Sequence, residues 1–243
     1  MFLGSRYAIQ TRRVHLSTLR EFCKHLERVG AILVNPCEGL ALPRLTGRLP
    51  RSGLTREQAL EILATPNLRT RIGIRDRAML EVFYSTGLRL AELTRLKTVD
   101  VDCPNGLVRV NRGKGGRDRI VPLGAMACRC VCQYLSQARD HWARANPAEQ
   151  ALWLGSIAPH GALNAQAIQV RVRHQGRAAG VHVTPHILRH TCATHLVSNG
   201  ANIVAVQRLL GHASLATTEI YTRITLSEIK TAYHQAHPRS RCP

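Results

Sequence analysis

TPHILRHTCATHLVSNGANIVAVQRLLGHASLATTEIYT, residues 184–222, divides by its own punctuation into three short helical pieces. Thr184 can N-cap the first, with Pro185 at its opening position and Gly200 just past its end. Asn202 can cap the second, which Gly211 ends. Ser214 opens a third turn that carries Tyr221. His186, Arg189, His212 and Tyr221 then meet only if these pieces fold back on one another.

An arginine, two histidines and a tyrosine at one place suit chemistry on a phosphodiester. Its pentavalent transition state gathers negative charge on the equatorial oxygens, and preorganised cationic donors there are the largest available catalytic effect. Arginine donates two parallel bonds from a planar fork and keeps its charge. Histidine can shuttle a proton or donate a hydrogen bond. A tyrosine hydroxyl becomes a nucleophile once a neighbour accepts its proton. The set calls for no metal and no nucleotide cofactor.

Each piece alone is common, but the joint spacing is specific. His186-Ile187-Leu188-Arg189, then Leu209-Leu210-Gly211-His212, then Tyr221 nine positions after that histidine resembles the tyrosine recombinases, the phage-integrase and Xer-type enzymes. The resemblance implies an upstream arginine at a helix start and a lysine in a hairpin turn. Gly87-Leu88-Arg89 and Gly113-Lys114-Gly115-Gly116 supply both. It runs from about Arg12 to Pro238. The fold it implies is mainly α with a small antiparallel sheet (α+β), a tyrosine recombinase catalytic domain preceded by a partial helical, SAM-like domain.

Composition points the same way. The 243 residues hold 34 Lys+Arg against 15 Asp+Glu, a formal net charge of +19, which suggests a polyanionic partner. Aromatics make up only 4%, so duplex DNA gripped through phosphates fits better than a stacking platform for single strands. The first residues lack the apolar core of a signal peptide, and no run is apolar enough to span a membrane. The eight scattered cysteines then read as free thiols of a cytoplasmic protein. Cys128 and Cys132 would share a helix face that Cys130 leaves, which is poor geometry for zinc.

The N-terminal segment, residues 1–43, reads as one helix over about 7–29, ended by Gly30, and a short turn from Asn35-Pro36. Val14, Leu16, Leu19, Phe22, Cys23, Leu26 and Val29 lie on one broad face. Arg12, Arg13, Arg20 and Lys24 lie off it, facing phosphate or solvent. Residues 44–54, rich in Pro, Gly and Arg, read as a linker whose Arg44, Arg48 and Arg51 would lie along DNA. The family carries a complete helical core-binding domain before this linker, and residues 1–43 correspond to about its second half.

Residues 55–243 form the catalytic domain. A capping box at Thr55-Arg56-Glu57-Gln58 starts a helix to about Ala64. Residues 75–86 read as a helix with one buried face, stopped by Gly87. Arg89 opens the next helix, whose backbone donors favour an anion, and Glu92 one turn on either orients Arg89 or forms an ordinary helix salt bridge. Three short strands follow at 99–102, 107–110 and 119–122. Arg117 and Arg119 are expected to contact DNA backbone or solvent. Residues 124–143 and 164–179 read as helices, the second carrying Arg171, Arg173 and Arg177, and the resemblance implies some phosphate contacts from it. His190 and His195 read as packing or hydrogen-bonded histidines, since the carboxylate of a zinc helix is missing. A last capping box at Thr225–Glu228 starts a helix to about His234, carrying Tyr233. Ile224, Leu226, Ile229 and Ala232 on it dock onto a neighbouring subunit or fold back in cis.

The resemblance implies a site-specific recombinase that cuts and rejoins duplex DNA through a 3′-phosphotyrosyl intermediate. Tyr221 is the nucleophile. Arg89, Arg189 and His212 stabilise the phosphorane, His186 assists in donation or proton transfer, and Lys114 protonates the leaving 5′ oxygen. A tetramer on two DNA sites, either homomeric or shared with a related recombinase, completes the exchange. The alternative is a DNA-binding member impaired in catalysis by its short N-terminal arm.

Overall fold

The structure is a computed structural model that describes residues 7–43, 53–111, 118–211 and 226–240. The chain divides between Ser52 and Gly53 into two compact units.

In the first unit, α1 (Ile9–Arg28) is followed by a turn over residues 36–39. Cys23 is the one buried residue of α1, and its sulfur lies 3.6 Å from that of buried Cys37. The apolar face read from the sequence is open within this unit: Val14, Leu19, Phe22 and Val29 are exposed. Arg13 spends its guanidinium on the Pro43 carbonyl at 3.1 Å.

The second unit begins with Gly53, and the N–H of Leu54 donates to Thr191 Oγ1 at 3.0 Å. Then come α2 (Arg56–Ala64), α3 (Arg71–Thr86) and α4 (Leu90–Thr94). Three strands follow, β1 (Val101–Asp102), β2 (Leu107–Val110) and β3 (Arg119–Pro122). One continuous helical stretch holds α5 (Ala125–Tyr134), a π turn at Leu135–Arg139 and α6 (Asp140–Ala143). The chain continues through α7 (Ala165–Ala178), α8 (Pro185–Ser198), α9 (Ile203–Leu210) and α10 (Leu226–Ala236). The architecture is mainly α with one small antiparallel sheet, as expected. Among the described residues no helix is long and apolar enough to cross a membrane.

The capping box of α2 forms as read: Thr55 Oγ1 accepts the Gln58 N–H at 3.2 Å, and Gln58 Oε1 accepts the Thr55 N–H at 3.0 Å. The sheet has the order β1-β2-β3, with Val108 opposite Val121 and Val110 opposite Arg119. Val108, Val110 and Val121 turn into the core while Arg109 and Ile120 face out, the two-residue alternation of a half-buried sheet. The first strand is shorter than the sequence suggests. Asp100 Oδ2 accepts the Lys97 N–H at 2.8 Å, and this holds Thr98–Asp100 in a 3-10 turn.

Helix α3 is the centre of the unit. The sequence predicts one buried face, but every residue from Ile74 to Thr86 except Arg77 is buried, because α5, α8 and the C-terminal tail all pack on it. Its charges survive burial only because they are paired. Asp76 binds Arg75 at 2.8 Å and Arg171 Nε at 2.6 Å, and Glu81 binds Arg77 at 3.0 Å and also Arg239. Arg171, on a helix from which some phosphate contacts were expected, is therefore a strut between α7 and α3.

A second apolar cluster joins Cys192 and Leu196 of α8, Val206, Leu209 and Leu210 of α9, and Tyr233 and Ala236 of α10. Ile229 packs against it, so α10 folds back in cis. The tail continues over α3, where His237 stacks on Tyr233 with centroids 4.7 Å apart. The seven cysteines among the described residues are free thiols.

Candidate active site

The site starts where α3 stops. Gly87 takes a left-handed conformation, φ +59°, and its N–H closes on the Phe83 carbonyl at 2.9 Å. A β-carbon there would lie 2.7 Å from Leu210 Cδ2, so conformation and packing both require glycine. The reversal places Arg89 at the N-cap of α4. The sequence suggests an external anion at this helix start, but Glu92 fills that place. Its Oε2 accepts the Arg89 N–H at 2.8 Å and its Oε1 accepts Arg89 Nη1 at 2.9 Å. Arg89 Nη2 donates to the Gly211 carbonyl at 2.8 Å.

Helix α8 begins as read, with Thr184 Oγ1 accepting the Ile187 N–H at 3.3 Å and Pro185 in the first turn. This leaves His186 exposed at the helix start, with half-buried Arg189 one turn further on. Arg189 donates to the Gly87 carbonyl and, through Nη2, to the Leu210 carbonyl at 2.8 Å. Burial first, and the neighbouring Arg89 cation second, lower its pKa to about 10, so it stays charged at neutral pH.

Helix α9 is the common anchor. Asn202 Oδ1 caps it through the Val204 N–H at 2.8 Å, and Gly211 ends it at φ +68°. A helix end leaves carbonyls without partners and carries partial negative charge. Here three successive carbonyls take three arginines: Leu209 takes Arg119 Nε at 3.2 Å, Leu210 takes Arg189, and Gly211 takes Arg89. Arg89, Gln169, His186 and Arg189 all line one cleft of about 530 Å³.

Arg119 corrects the sequence reading, which placed it on DNA backbone or solvent. It turns inward and pairs both nitrogens of its fork with Glu92, each at 2.9 Å. The signal was present in the sequence: Arg119 lies two residues from core-facing Val121, hence on the same face of β3. Burial works to raise the pKa of Glu92. The Arg119 hydrogen bonds and the Arg89 backbone N–H outweigh it and hold the carboxyl at about 2.

Of the six residues singled out in the sequence, Arg89, His186 and Arg189 converge on this cleft. Lys114, His212 and Tyr221 lie outside the described residues, as do Arg44, Arg48, Arg51, Arg117, Ser214, Ile224 and Thr225. Among other candidates, His195 is hydrogen-bonded on both ring nitrogens, to Tyr84 Oη at 2.7 Å and the Leu54 carbonyl at 2.9 Å. Tyr233 is buried with its hydroxyl 2.5 Å from Ser85 Oγ, and burial raises its pKa well above the usual value, which unsuits it as a nucleophile.

The phage integrase family model matches residues 53–228. The chain is 40% identical over 241 residues to tyrosine recombinase XerC of Pelobacter propionicus, covering 99% of this chain and 78% of that protein. The crystal structure of XerA recombinase superposes with a TM-score of 0.60 at 29% identity, covering 96% of this chain and 79% of that one. The XerH site-specific recombinase bound to difH substrate, a pre-cleavage complex, superposes with a TM-score of 0.58 at 27% identity over 74% of this chain and 52% of that one. On the family match and the XerC identity together, the chain belongs to the phage integrase family of tyrosine recombinases.

Proposed function

We propose that the protein is a site-specific recombinase that cuts and rejoins duplex DNA through a 3′-phosphotyrosyl bond. One observation carries this reading: Arg89 and Arg189 are held side by side at one cleft, each fixed on a carbonyl at the end of α9, with His186 beside them. Two fixed cations at one concave site suit a phosphodiester whose transition state gains negative charge.

In this reading Tyr221 passes its proton to a neighbouring base and its oxygen attacks the scissile phosphorus. Arg89 and Arg189, with His212, hold the non-bridging oxygens, and His186 donates a hydrogen bond or moves a proton. The bond from phosphorus to the 5′ oxygen breaks, and Lys114 protonates that oxygen. The phosphotyrosyl bond keeps the phosphoester energy, so a free 5′ hydroxyl from a partner strand reverses the attack without ATP. Duplex DNA is the partner, and a tetramer of this chain, or one shared with a related recombinase, spans the two sites. Residues 1–43 act within a helical core-binding domain, joined to the catalytic domain by residues 44–54.

The test is covalent trapping on nicked duplexes in the presence of a chelator. Wild-type protein forms a detergent-resistant DNA adduct, and Tyr221→Phe binds in a gel shift but forms none. An adduct that survives in Tyr221→Phe would overturn the assignment.

A further inference from the structure

We propose that Arg119 is a positioning residue for DNA cleavage, setting Arg89 and the backbone that enters His212 by bracing Glu92 and the end of α9. The inference rests on the recombinase reading above.

Arg119 turns its guanidinium inward, onto Glu92 and the end of α9. Its side chain is 16% exposed, its fork covers both oxygens of Glu92, and its Nε takes the Leu209 carbonyl. The guanidinium also lies against Gly211, where a β-carbon would come within 3.0 Å of Cζ and 3.1 Å of Nη1. One planar group thus fixes the carboxylate that holds Arg89 and the residue immediately before His212.

The geometry also says what removal does. Glu92 divides its oxygens between Arg119 and Arg89. Without Arg119, the carboxylate is open to a two-toothed pair with Arg89, the arrangement an arginine and a carboxylate prefer. That rotation draws Arg89 Nη2 off the Gly211 carbonyl and away from the cleft. The Leu209 carbonyl loses its partner at the same time. Arg119 further sits opposite Val110, where β2 pairs with β3, so the same brace ties the sheet to the end of α9.

The experiment uses the full chain and the nicked duplex that wild type cleaves best in a random-sequence pool. Arg119→Met is expected to slow adduct formation on the order of 10- to 100-fold, the effect of misplacing a reacting group by about 1 Å, with gel-shift affinity unchanged. The same duplex with a methylphosphonate at the scissile position has lost one anionic oxygen. Arg89 has less charge to meet there, so the ratio of wild-type to variant rate shrinks. A loss of fold slows both substrates alike. Arg119→Lys keeps the charge without the fork and is expected to stay slow on phosphate, and it carries the test if thermal melting shows Arg119→Met to be unfolded. Wild-type rates in the variants, equal slowing on both duplexes, or full rescue by lysine would each overturn the proposal. Absence of any wild-type adduct would overturn the recombinase reading, and this inference with it, and is distinguishable from a wild-type adduct that Arg119 does not affect.

Discussion

Three arginines meet the last two carbonyls of α9 and that of its cap, Gly211, and one carboxylate ties two of them together. Glu92 is the centre of that arrangement, and its ionisation sets a pH dependence. Its folded pKa of about 2 lies below the ordinary 4.5, so its stabilising contribution is full above about pH 4.5 and is lost as pH falls toward 2. Thermal melts of wild type and Glu92→Gln are expected to differ most near neutral pH and to converge as the solution is acidified below about pH 4.5. A gap that stays constant down to pH 3 would show that the carboxylate is not the paired group described. At this scale much was legible in the sequence. Arg89 and Arg189 could be placed because glycine and N-cap signals fix where their helices begin. Arg119 was misread because a charged residue beside a hairpin turn suggests solvent. The alternation with Val121 was the better guide, and an arginine on a core face demands a carboxylate and carbonyls to receive it.

Glycine at the end of α3 is where one element meets another. Gly87→Ala would force a left-handed conformation on a side-chain-bearing residue and push its methyl into Leu210. Adding about 1–2 kcal/mol for the conformation to about 1–3 kcal/mol for overpacking gives a loss of roughly 2–5 kcal/mol. Denaturant unfolding measures it, and a change under about 0.5 kcal/mol, the range of neutral surface substitutions, would refute the packing described. Several helix starts in the second unit were readable, since Thr55, Thr184 and Asn202 cap their helices through side-chain oxygens, but α3 begins at Arg71 under a Thr70 cap, four residues before the start read from the sequence. What periodicity hid was the surroundings of α3. Arg75, Asp76 and Glu81 make it look amphipathic, but their partners, Arg171 and Arg239, arrive from segments 95 and 158 residues away. The cis packing of α10 was likewise beyond sequence, because its apolar face suits a neighbouring subunit as well as it suits α9.

For the whole molecule the dominant physical fact is charge, a formal +19 over 243 residues. Binding to duplex DNA through phosphates releases counterions, so affinity falls steeply with salt. A footprint of six or more phosphates is expected to cost about 10³-fold or more in affinity between 50 and 200 mM salt, and fluorescence anisotropy at several salt concentrations checks it. A flat salt response would contradict a phosphate-dominated interface. The most direct test of the central claim is the identity of the residue that becomes joined to DNA. Protein trapped on a nicked duplex can be digested with nuclease and trypsin, and the modified peptide sequenced by mass spectrometry. A nucleotide remnant is expected on Tyr221, in the tryptic peptide spanning residues 209–223. A remnant on any other residue would contradict it.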